Sequence, residues 1–127
     1  MPDNEKTLET AAVDKHKQQS LSLEEIVHLA NKIGLEYVKA RQEVDHYDLL
    51  KASHRAKTME KYDDGSKSEA KLRRLAEIDA QYIEFLEKLN KAKFEAEKLK
   101  IRYESYKNLF EARRSMLSYQ KAEMQLL

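Results

Sequence analysis

Apolar residues recur every seven positions along two long stretches of this chain. In the first stretch, Leu23, Ala30, Tyr37 and Val44 form one row, and Ile26, Ile33, Ala40 and Tyr47 form another three residues behind it. Two rows offset in this way make a continuous stripe on one face of a helix. Ser22, with Glu25 three residues on, has the form of a capping box, so the pattern predicts a helix over residues 22–61. Gly34 interrupts the stripe at a cost of roughly 1 kcal/mol against alanine. It marks either a close approach or a weak point. The second stretch is more regular. Leu75, Tyr82, Leu89, Ala96, Tyr103, Phe110, Leu117 and Met124 are all apolar or aromatic, and Ile78, Phe85, Ala92, Leu99 and Tyr106 follow three residues behind. That second row then turns polar, at Arg113 and Gln120. No proline or glycine falls in residues 66–127, which predicts one continuous helix over residues 67–125.

Between the two stretches stands KYDDGSKSE, residues 61–69. Asp-Asp-Gly-Ser is turn chemistry, with Gly65 supplying a positive φ at no steric cost. Gly65 is expected to end the first helix. Ser66 with Glu69 has the form of a second capping box and is expected to start the next. The predicted fold is all-α: a long antiparallel helical hairpin with its turn at residues 62–66, coiled-coil-like, with an extended C-terminal helix that oligomerises. Residues 1–21 lack a sustained apolar period and read as a flexible tail ahead of a hairpin domain of residues 22–127.

The predicted helices are unequal, about 60 Å and about 90 Å long. Folding about residue 65 sets residue 22 opposite residue 107, and the last 20 residues then lack a partner. Yet that overhang holds Leu109, Phe110, Met116, Leu117, Tyr119, Met124, Leu126 and Leu127. Leaving such side chains in water is unfavourable by roughly 1.5–3 kcal/mol each. Two helices are also a thin core for a chain of this size. Both considerations point to self-association through the second helix, with Tyr103, Phe110, Leu117 and Met124 as the contact row. The alternative is a tail folded back over the overhang, for which Leu8 and Val13 are the sizeable apolar residues before Leu21.

Composition narrows the class. The chain has 127 residues, one domain's worth, with 37% charged, 41% hydrophobic, 2 Gly and 1 Pro. That disfavours a β sandwich or barrel and suits long helices. With no cysteine, disulfides, cysteine zinc sites and cysteine nucleophiles are excluded. No apolar run approaches the roughly 18 residues of a membrane span, and the opening MPDNEKTLETAAVDK is polar, unlike a signal peptide. A soluble cytoplasmic protein without membrane partners is the expectation. The formal net charge of +1 hides blocks: −3 over residues 22–50, +4 over 51–74, −2 over 75–99 and +3 over 100–127. Local fields of this kind attract polyanions, although any helix so rich in charge has uneven blocks.

Enzymatic motifs are absent: no Walker A loop, GxSxG, GxGxxG or HExxH. Asp45, His46 and Asp48 are close in sequence, but 46 lies off the helix face that 45 and 48 share. No metal or cofactor is implied, and a hairpin offers a poor water-excluding pocket. The basic tip carries more. Lys51, His54, Arg55, Lys57 and Lys61 line the end of the first helix, and Lys67, Lys71, Arg73 and Arg74 open the second. Tyr62 lies among them, placed to stack on an unpaired base. Cations with interspersed aromatics suit single-stranded nucleic acid. Glu60, Asp63, Asp64 and Glu69 interrupt the cluster, so one copy would bind weakly and several by avidity. On composition alone, a solvated hairpin end with ordinary salt bridges is the slightly better account of these residues.

The stretch KASHRAKTMEKYDDGSKSEAKLRRLAEID, residues 51–79, resembles the UvsY-type recombination mediator proteins of tailed phages. The shared look is a basic helix end, a Tyr/Asp/Gly break, then S-E-x-K and an acidic helix opening. A long helix with further lysines and aromatics follows, here KFEAEKLKIRYESYKNLFEARRSML, so the likeness spans about residues 40–116. It implies an oligomeric helical protein that forms a ring through its C-terminal helix and binds single-stranded DNA. It also implies help in loading a RecA-like recombinase by displacing the single-strand binding protein. The positions matching the family's basic DNA-contacting run are Arg55, Lys57 and Lys61. Residues 1–21 have no counterpart in that pattern, and the second heptad is cleaner here. The rival expectation is a coiled-coil chaperone or assembly adaptor that grips a partner protein's helix.

Overall fold

The computed structural model describes residues 21–126, which form three helices and no strand: α1 (Leu23–Tyr62), α2 (Glu69–Glu77) and α3 (Ala80–Leu126). Apart from Leu21, the expected tail of residues 1–21 lies outside the described residues. Contacts divide the chain into two compact units, one of residues 33–103 and one built from the two ends, up to residue 32 and from residue 104.

Helix α1 follows its predicted bounds of 22–61 to within a residue. Its start is held by Ser22, whose Oγ accepts the Glu25 N–H at 3.2 Å and donates to Glu25 Oε1 at 3.0 Å. All eight residues of its predicted stripe are sheltered, Ile26 and Ile33 fully so. In the unit of residues 33–103, α1 packs antiparallel on α3. Phe85 meets the edge of Tyr47 at 5.7 Å between ring centres, and Lys93 pairs with Asp48 at 3.8 Å. Gly34 sits under the ring of Tyr103, where an added Cβ would stand 3.3 Å from the nearest ring carbon. The glycine therefore marks a close approach. Gly34→Val is expected to cost more than about 1 kcal/mol through overpacking. In Gly34→Ala, a helix-propensity gain of up to about 1 kcal/mol offsets the crowding. Urea unfolding of the two variants distinguishes these outcomes.

The second helix departs from expectation. Residues 67–125 are not one helix but two, broken at Ile78 and Asp79. The Ile78 N–H donates to the Arg74 carbonyl at 3.3 Å, and the Asp79 N–H tightens to the Ala76 carbonyl, three residues back, at 3.2 Å. The Asp79 carboxylate takes the N–H groups of Gln81 and Tyr82, each at 3.1 Å, and so caps α3. An aspartate that bonds nearby backbone donors competes with the helix running through it. Ile78, predicted to lie in the apolar row, is 72% exposed at the break.

The turn also differs in detail. Gly65 has φ 85°, the left-handed conformation expected of it, but α1 ends earlier, at Tyr62. Asp63 Oδ1 accepts the Gly65 N–H at 3.0 Å, and Asp64 Oδ1 accepts the Ser66 N–H at 2.9 Å. Ser66 is thus occupied by Asp64 and does not cap. The N-cap of α2 is Ser68, which accepts the Lys71 N–H at 3.3 Å.

Turn and α2 together consume the chain between Tyr62 and Asp79, and the register shifts accordingly. In the unit formed by the two ends, the Arg113 guanidinium donates to the Leu21 carbonyl, whereas a symmetric fold about residue 65 set residue 22 near residue 107. Leu109 and Phe110 are half-buried as a result. Within the predicted overhang, the exposed apolar residues are those of the last turns of α3, where Met116, Leu117, Tyr119, Met124 and Leu126 stand 51–88% exposed.

Candidate nucleic-acid interface

The nine sequence-predicted tip residues lie in the unit of residues 33–103 but are not equivalent. Lys51, His54, Arg55, Lys57 and Lys61 project from the last three turns of α1; Lys71, Arg73 and Arg74 lie on α2; Lys67 sits in the turn. Three of the cations are committed to ion pairs. Lys61 Nζ bonds Asp79 Oδ1 at 3.0 Å. Lys67 Nζ reaches Asp64 at 3.1 Å and the Tyr62 carbonyl at 3.0 Å. Arg73 bonds Glu69 at 3.1 Å, an exposed i,i+4 pair. Among the described residues, Lys51, Arg55, Lys57, Lys71 and Arg74 form no ion pair and are exposed. Arg55 shares a groove between α1 and α2 with Arg73, but Glu60, Asp63 and Glu69 line it too. That face is locally acidic, as the interrupting carboxylates in the sequence foretold.

Tyr62 is tied into the junction of the helices. It is half-buried, and its hydroxyl donates to Asp79 Oδ1 at 2.6 Å. The periodicity contained no sign of this arrangement. Asp79, only 4% exposed, binds the end of α1 with one carboxylate oxygen and caps α3 with the other. The Tyr62 hydroxyl, the Lys61 ammonium and the Tyr82 N–H together hold the Asp79 carboxyl down to about 2. In return, Asp79 raises both partners above their ordinary values: Lys61 because its ammonium is bonded, Tyr62 because its neutral hydroxyl is the donor. Asp64 is held well below the usual carboxylate range by the Ser66 hydroxyl and N–H and by Lys67. A sequence signal did exist in Asp79 with Tyr82 three residues on, an N-cap spacing inside an otherwise unbroken heptad.

His54 lies parallel to the Phe85 ring, 4.1 Å between centres and 16° between planes. Its backbone carbonyl accepts the Thr58 hydroxyl at 2.8 Å. Of the predicted oligomer row, Tyr103 packs on Gly34 and Phe110 is half-buried, while Leu117 and Met124 are open. Among the described residues, no group of three or more histidines and acids is placed to hold a metal, and no helix is long and apolar enough to cross a membrane. Comparison with protein-family models, curated proteins and solved structures finds no match to this chain.

Proposed function

We propose that this chain is a non-enzymatic, self-associating protein that binds single-stranded DNA and acts as a recombination mediator, assisting a RecA-like recombinase onto strands held by single-strand binding protein. The observation that carries the reading is the set of exposed cations that form no ion pair among the described residues around one hairpin end: Lys51, Arg55 and Lys57 on α1, Lys71 and Arg74 on α2. Phosphates gain most from cations that give up no carboxylate to meet them. The likeness of residues 40–116 to the phage mediators supports the recombination role. Each tip contributes a few weak contacts, so copies joined through the end of α3 hold a strand by avidity while each contact stays exchangeable. Salt titration of binding to a labelled single strand tests the proposal. Affinity should fall steeply with salt, and no binding at low salt would end the reading.

A second reading has its own observation. Met116, Leu117, Tyr119, Met124 and Leu126 form an exposed apolar end on α3 that suits a partner protein's helix, as in a coiled-coil chaperone or assembly adaptor. Light scattering separates the two. The mediator is a multimer, and Leu117→Glu with Met124→Glu is expected to reduce it to single chains of unchanged helicity, since both side chains are exposed. A native chain already monomeric and indifferent to DNA favours the adaptor.

A further inference from the structure

Between α1 and α3 runs an open groove lined by His46, Tyr47, Leu50, His54 and Phe85 together with Glu43, Gln81, Glu84 and Lys88. Phe85 is buried and stacks against one side of the His54 imidazole, while His54 itself is exposed. The histidine thus presents its other side to solvent, backed by a ring that is fixed in the core and steadied at its edge by Tyr47. Lys51 and Lys57 stand three residues before and after His54, bracketing it over about 9 Å of helix rise. Neither forms an ion pair among the described residues, whereas Lys88 is drawn to Glu84 at 3.6 Å.

A flat ring with a cation on either side along one helix matches the chemistry of a nucleotide strand, in which each base is flanked by phosphates. We propose that the open side of His54 is a stacking platform for a base of single-stranded DNA, with Lys51 and Lys57 meeting the adjoining phosphates. The inference rests on the single-strand-binding reading and assigns the aromatic role to His54 where the sequence pointed to Tyr62. An apolar peptide would use the groove without needing the two lysines. The base lies flat on an imidazole already held by Phe85, so little side-chain freedom is lost on binding.

The test compares a labelled oligothymidine with an abasic phosphodiester strand of equal length at low salt. Equal charge cancels the phosphate contribution and leaves stacking. The native chain should prefer the strand with bases by about tenfold, within the range measured for base–aromatic stacking. His54→Leu, which keeps bulk but no ring face, should erase that preference while leaving binding to the abasic strand unchanged. His54→Phe should retain it, with helicity by circular dichroism the same in all three proteins. Equal binding of the two strands by the native chain, or a preference that survives in His54→Leu, overturns the platform while leaving strand binding in place. Binding of neither strand removes the single-strand reading itself, and the platform with it.

Discussion

With Lys51, Arg55 and Lys57 replaced together by alanine, the chain is expected to bind single-stranded DNA at least about tenfold more weakly at low salt. The dependence of log affinity on log salt should flatten by about two, since each phosphate contact to a single strand contributes roughly 0.7 to that slope. All three side chains are exposed and form no ion pair among the described residues, so stability and assembly size should not change. Lys61 is left out of the variant deliberately. It belongs to the basic run read from the sequence, but Asp79 holds it, and its removal would confound binding with folding. Fluorescence anisotropy at several salt concentrations, alongside light scattering, checks the result. An unaltered slope would place the strand elsewhere on the molecule.

Replacing Asp79 with alanine is the substitution expected to damage the fold most. It removes the N-cap of α3 and strips the Tyr62 hydroxyl and Lys61 ammonium of their shared partner. Losing a cap alone lowers the melting temperature by several degrees in a domain of this size, and the two orphaned partners should bring the fall to about 10 °C or more. Asp79→Asn keeps an acceptor for the cap but loses the charge, and should fall between the two. The effect has a definite pH dependence. A carboxyl whose folded value is depressed contributes stability that is fully present above its unfolded value near 3.8 and is lost as pH falls through about 2. The gap in melting temperature between the native chain and Asp79→Asn should therefore be full at neutral pH and close between about pH 4 and pH 2. A gap independent of pH would mean that the charge of Asp79 does nothing.

These two predictions lie on opposite sides of what the residues disclosed. The α1 stripe from Leu23 to Tyr47 was readable because a helix face must be apolar wherever it is buried, and seven-residue spacing records that face in one dimension. The positive φ of Gly65 was readable because few residue types tolerate it. The break at Asp79 was not legible in the heptad pattern, which runs through it without interruption. It needs no glycine or proline, only a carboxylate that finds Tyr62 and Lys61, and those residues stand 17 and 18 positions away. The basic tip was legible as a list of nine residues, yet which of them carry free charge depends on neighbours brought close by folding.

By itself, the sequence settled the helical class, the hairpin, the place of its turn and the surplus of apolar residues at the end of α3. Each of these follows from local propensity or from a repeat written along the chain. Tertiary structure alone decided the break between α2 and α3, the register that puts Leu21 beside Arg113, the tethering of the Tyr62 hydroxyl to Asp79 and the stacking of His54 on Phe85. These depend on pairs distant in sequence, where the geometry of approach, and not residue type, determines which hydrogen bonds and ring contacts are made.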